Sequence, residues 1–159
     1  GTGQEMKNML GHMAYILEGM KRIPSFRSYR MRVSYGETTV EGDFIYGMVT
    51  NTVSVGGFKG ITGKCVELND GEFEVTLIRR PMNPLELNDI IGALMNREAK
   101  SEMLITFKTS KLDIKAEDPV AWTLDGEYGG EHQRVSIENY KQAVNIRVNK
   151  SFGKEKKKM

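Results

Sequence analysis

Two Asp-Gly-Glu triplets, Asp70-Gly71-Glu72 and Asp125-Gly126-Glu127, set carboxylates around a glycine beside strand-like runs. A glycine there lets the backbone turn and come close to a ligand. Carboxylates so held can take a proton from a hydroxyl or bind a hard cation. Asp125-Gly126-Glu127 follows the apolar run Val120-Ala121-Trp122-Thr123-Leu124 and precedes Gly129-Gly130. It reads either as a base at a strand end or as a plain hairpin turn. Glu67-Leu68-Asn69-Asp70-Gly71-Glu72 places carboxylates three apart before a strand. It reads as an oxygen-ligand loop for Mg²⁺ or Ca²⁺, with the Glu72 carbonyl as a further donor, or as a polar loop. A third loop, Gly56-Gly57-Phe58-Lys59-Gly60, could approach a phosphate. It lacks the Lys-Ser/Thr ending of a P-loop.

His12, His132 and Cys65 have no neighbours in sequence that form a triad or metal pair, and they read as structural. One cysteine rules out an internal disulfide framework and suits a reducing compartment. Residues 150–159 carry a net +4, so residues 1–149 carry about −2 of the overall +2. The body is therefore not a nucleic-acid surface, and the basic tail reads as a solvated, disordered end. No apolar run approaches the roughly 18 residues that would span a bilayer.

These carboxylates need a scaffold. Met6, Met9, Leu10, Met13, Ile16, Leu17 and Met20 recur at helical spacing, predicting an amphipathic helix over about 4–21. From Phe26 the period becomes two. Strands are predicted at Tyr29–Tyr35, at Val40–Val55 as one or two strands with bulges or bends at Gly42-Asp43 and Gly47, and at Phe73–Ile78. A second helix follows Pro84, with Leu87, Ile90, Ile91, Leu94 and Met95 on its apolar face. Further strands are predicted at Met103–Phe107, Leu112–Ala116, Val120–Leu124, Arg134–Ile137 and Val144–Val148. Strands without regular helix alternation predict a mainly β fold, an antiparallel β-sandwich with two added α-helices, in one domain over 1–149.

In order, Leu10-Gly11-His12-Met13-Ala14-Tyr15, Gly42-Asp43-Phe44, Thr50-Asn51, Gly56-Gly57, Glu67-Leu68-Asn69-Asp70-Gly71 and Leu124-Asp125-Gly126-Glu127 resemble the C-terminal domain of the bacterial diacylglycerol kinase and lipid kinase family. That family is related to sphingosine kinases and more distantly to NAD kinases. The resemblance runs from about Lys7 to Val148. It implies a β-sandwich second domain of a two-domain enzyme of phospholipid metabolism. The ATP-binding N-terminal domain, with its Gly-Gly-Asp-Gly-Thr motif, is expected outside this chain, since no such motif occurs in it.

The resemblance further implies that Asp125 is the general base toward the lipid hydroxyl and that Glu127 contributes to the metal or phosphate site. It implies that Glu67, Asp70 and the Glu72 carbonyl hold a structural Mg²⁺, with Glu67 standing where the family commonly has Asp. The implied reaction transfers the ATP γ-phosphoryl group to a diacylglycerol-like lipid at the inner membrane face, by a cytoplasmic, peripheral enzyme. The isolated fragment is expected to be inactive. Its expected partners are the lipid, the absent kinase domain and, through uncovered sheet edges, a second copy. The residues by themselves leave open a non-enzymatic β-sandwich module that binds a lipid or a partner protein.

Overall fold

The computed structural model describes residues 27–52, 66–95, 101–145 and 147. The expected first helix, the Gly56-Gly57 loop, His12, Cys65 and the lysine tail lie outside them. Among the described residues six strands run β1 (Tyr29–Tyr35), β2 (Thr38–Thr50), β3 (Phe73–Arg79), β4 (Leu104–Thr109), β5 (Lys111–Leu124) and β6 (Glu127–Glu138), with one helix, α1 (Pro84–Met95), between β3 and β4. They form one sheet in the order β4-β3-β2-β1-β5-β6, with each neighbouring pair antiparallel. The mainly β expectation holds. The described strands all belong to this single sheet.

Period-two patterning selects the inner face. On β1, Met31 and Val33 are buried while Arg30 and Arg32 are exposed. Phe44, Val75, Leu77, Leu112 and Ile114 complete the buried cluster, drawn from β2, β3 and β5. Five successive residues of β3, Glu74 to Ile78, are buried, so both faces of this interior strand are covered.

Ser110 alone joins β4 to β5, although these strands stand first and fifth in the sheet. Laid flat, they would be roughly 19 Å apart, four spacings of about 4.8 Å. A one-residue link cannot reach that far, so the sheet must roll. The roll brings Tyr35 of β1 face to face with Phe107 of β4, with ring centroids 3.6 Å apart.

Three departures from expectation have local causes. The irregularity in β2 falls between Phe44 and Tyr46, while Gly42 and Gly47 pair regularly with Met31 and Leu77. Gly42 is small for another reason: a Cβ there would lie 2.2 Å from Arg79 Nη1. That guanidinium donates to the Glu41 carbonyl at 3.0 Å and lies over the Phe44 ring. Second, the two strands expected around Pro119 are one. The register slips there, so that residues 116–119 face Gln133 alone. Pro119 has no N–H to give the ladder, and the Gln133 side chain instead donates to the Glu117 carbonyl at 2.6 Å. Third, Val144, Asn145 and Arg147 belong to no strand. The chain turns at Tyr140–Ala143, with Gln142 at φ +55°, and leaves Val144 exposed, while positions 146 and 148 of the expected strand lie outside the described residues.

Helix α1 starts as Pro84 predicts. Asn83 Oδ1 accepts from the Leu85 and Glu86 N–H groups, both at 3.0 Å. Glu86 reaches back to the Met82 N–H and to Asn83 Nδ2, closing a reciprocal cap. Leu87, Ile90 and Ala93 are its buried positions. No helix among the described residues is long and apolar enough to cross a membrane.

Candidate functional site

The two triplets lie near opposite ends of the β5–β6 hairpin. Asp125 and Gly126 are the two residues of its turn, at φ +50° and +93°. Both central positions in the left-handed region are the mark of the tight hairpin turn whose twist suits antiparallel strands. Asp is among the few non-glycine residues that accept that conformation at modest cost. The turn lifts the Asp125 carboxylate clear of the sheet, exposed and without hydrogen bond or ion pair among the described residues. Glu127 follows as the first residue of β6, paired with Leu124 and also exposed. Leu124 and Tyr128 flank them as exposed apolar side chains.

Glycines shape this tip as well. Gly129 and Gly130 together face Trp122, a β-bulge, and Gly130 takes φ +89°. A Cβ on Gly129 would meet Leu124 Cγ at 2.9 Å. The missing side chain is what lets Leu124 lie across β6. The result is a carboxylate pair on a short turn with apolar side chains on either side. Such a tip can offer a base to a hydroxyl carried by an apolar molecule.

The other triplet sits beside the hairpin's base, on the order of 40 Å of strand path away for the 14 residues of β5. Asp70 Oδ1 accepts the Glu72 N–H at 2.9 Å, and Gly71 turns at φ +87° beneath Lys141. Asp70 Oδ2 accepts from Lys108 Nζ at 2.6 Å. The Lys108 hydrogen bond, seconded by the Glu72 N–H, holds the Asp70 carboxyl below its ordinary value. Asp70 in return holds Lys108 above the ordinary lysine value. Lys108 also faces its cross-strand partner Glu74, 3.5 Å from Oε1. Glu74 is 1% exposed, and among the described residues its contact is this ion pair.

The expected Mg²⁺ donors are only partly gathered. Asp70 and Glu72 adjoin, but the Asp70 carboxylate already holds an ammonium, and the Glu72 carbonyl accepts from Asn139 Nδ2 at 3.2 Å. Glu67 is exposed and makes no hydrogen bond or ion pair among the described residues. Nor do any three His, Cys, Asp or Glu side chains among them cluster to hold a metal ion. As arranged, these residues do not fit a divalent ion. Sequence reasoning missed Glu74, Lys108 and Asn139. A signal for Glu74 was available: it is the lone charge in the apolar run from Phe73 to Ile78.

No protein-family model matches the chain. Individual relatives do. The chain is 30% identical over 126 residues to a diacylglycerol kinase of Bacillus subtilis (strain 168), covering 79% of this chain and 41% of that protein. It is 25% identical over 146 residues to a diacylglycerol kinase of Staphylococcus carnosus (strain TM300), covering 91% and 47%. The crystal structure of a diacylglycerol kinase from Bacillus anthracis str. Sterne superposes with a TM-score of 0.58 at 15% identity, over 77% of this chain and 40% of that one. At that identity the likeness speaks for the fold. The chain thus spans less than half the length of the curated relatives it matches, as the C-terminal domain of such a protein would. By sequence along most of its length and by its rolled antiparallel sheet, it resembles the bacterial diacylglycerol kinase family.

Proposed function

We propose that this chain is the lipid-facing part of an ATP-dependent lipid kinase of the diacylglycerol kinase type, with Asp125 as the general base. The observation that carries the reading is the free carboxylate of Asp125 at the tip of a projecting hairpin, in a chain whose relatives are named diacylglycerol kinases. A base must come within hydrogen-bond reach of the hydroxyl proton it takes. An exposed turn flanked by Leu124 and Tyr128 suits an alcohol presented at a bilayer surface. Asp125 accepts the hydroxyl proton as the oxygen attacks the γ-phosphorus of ATP and the bond to the bridging oxygen breaks, releasing ADP. Glu127, two residues on, adds negative charge that favours a proton or a phosphate-bound cation at the same tip. ATP and its magnesium belong, in this reading, to a nucleotide-binding domain that these residues do not supply. Phosphoryl transfer depends mainly on positioning and charge stabilisation, so this chain alone is inactive.

The test is ATP-dependent phosphorylation of diacylglycerol in mixed micelles by the two-domain protein, run beside Asp125→Asn. Asparagine tolerates the same left-handed turn, so the hairpin survives the change. Turnover falls by about 10²–10⁴, the usual worth of a general base, with the melting temperature unchanged. Full activity in the variant would move the base elsewhere. Loss of activity together with a large drop in melting temperature would make Asp125 a structural residue.

A further inference from the structure

Glu74, Lys108 and Asp70 form a charged cluster that the kinase reading does not use. Glu74 lies on the interior strand β3, between Thr50 of β2 and Lys108 of β4 in register. Its carboxylate is buried, and among the described residues its contact is the ion pair with Lys108. A buried carboxylate is costly unless a counter-charge stands beside it. Among the described residues the cation beside it is the Lys108 ammonium, 3.5 Å from Glu74 and 2.6 Å from Asp70. The Asp70 turn is tied down on several sides. Asp70 Oδ1 is tied to the Glu72 N–H, Asn139 bonds both the Glu72 carbonyl and the Ser110 carbonyl, and Lys141 covers Gly71.

We propose that Lys108 is the resident cation of this acidic loop, pairing with both Asp70 and Glu74 in place of a divalent ion, so that Lys108 and a divalent ion exclude one another at Asp70. Both would need Asp70 Oδ2, and an ammonium at 2.6 Å repels a second positive charge at that oxygen. The carboxylates themselves are suitable hard-ion ligands. Removing the ammonium should therefore uncover a metal site. This inference does not depend on the phosphoryl-transfer reading.

The experiment is thermal unfolding and calorimetric titration of the purified protein with MgCl₂, CaCl₂ and MnCl₂, for wild type, Lys108→Met, Lys108→Arg and Lys108→Met/Asp70→Asn. Wild type and Lys108→Arg are expected to show melting temperatures indifferent to the three salts and to EDTA. Lys108→Met should melt lower by roughly 5–10 °C. It should recover at least half of that loss with millimolar divalent ion and bind it at least about tenfold more tightly than wild type. Adding Asp70→Asn should abolish the recovery. Micromolar divalent binding by wild type, or a fall in its melting temperature with EDTA, would overturn the proposal even if Lys108→Met failed to fold. So would a folded Lys108→Met that ignores all three ions.

Discussion

At the scale of single residues, Asp70 and Lys108 make a pH prediction whose sign follows from their mutual pull. Asp70 is held below its ordinary pKa, so its contribution to stability is complete above about pH 4, the unfolded value. It is lost as pH falls through the folded value. Lys108 is held above its ordinary pKa, so its contribution is complete below about pH 10 and is lost as pH rises beyond the folded value. The difference in urea midpoint between wild type and Lys108→Met should therefore be flat from about pH 5 to 9 and shrink on both sides. A difference that persists unchanged at pH 2.5 would mean that packing of the lysine stem, not its charge, is what matters. This pair was not legible in the sequence. Asp70 and Lys108 are 38 residues apart, and only the pairing of β3 with β4 brings them together. The Asp-Gly turns were legible, because glycine and aspartate carry the left-handed preference in their own covalent structure.

At the scale of elements, local chemistry explains why α1 starts where it does. Asn83 caps two N–H groups, Pro84 loses nothing by lacking one, and Glu86 closes the cap. Asn83→Ala should cost about 1 kcal/mol in chemical denaturation, with the m-value unchanged. A cost near zero would show that Glu86 holds the helix end alone. The β5–β6 hairpin is governed in the same local way at its tip. Gly126→Ala forces a Cβ into φ +93° and should destabilise by about 1–2 kcal/mol. Asp125→Asn should leave stability nearly unchanged. Such elements could be read from the chain because their signals lie within four or five residues. The continuity of β5 across Pro119 could not, since the compensating donor, Gln133, sits on the next strand.

At the scale of the whole molecule, the roll of the sheet is the property that local signals cannot convey. Alternation marked Val33, Phe44, Val75, Leu77, Leu112 and Ile114 as facing inward, but alternation is the same in a flat sheet and a curved one. What forces the curvature is topology: Ser110 must connect the first strand of the sheet to the fifth. In the flat arrangement β1 and β4 would lie roughly 14 Å apart, three spacings of about 4.8 Å. In the rolled one Tyr35 and Phe107 stack at 3.6 Å with planes 7° apart. The two rings close the structure across strands that share no ladder bond. A double-mutant cycle with Tyr35→Leu and Phe107→Leu should give a coupling of about 0.5–1.5 kcal/mol, the usual worth of a packed aromatic pair beyond its burial. Ile105 and Tyr29, on the same two strands but outside this stack, serve as the control pair and should be additive within about 0.5 kcal/mol. Zero coupling between Tyr35 and Phe107 would mean that β4 does not close against β1 in solution. The roll would then rest on the Ser110 corner and the aliphatic core alone.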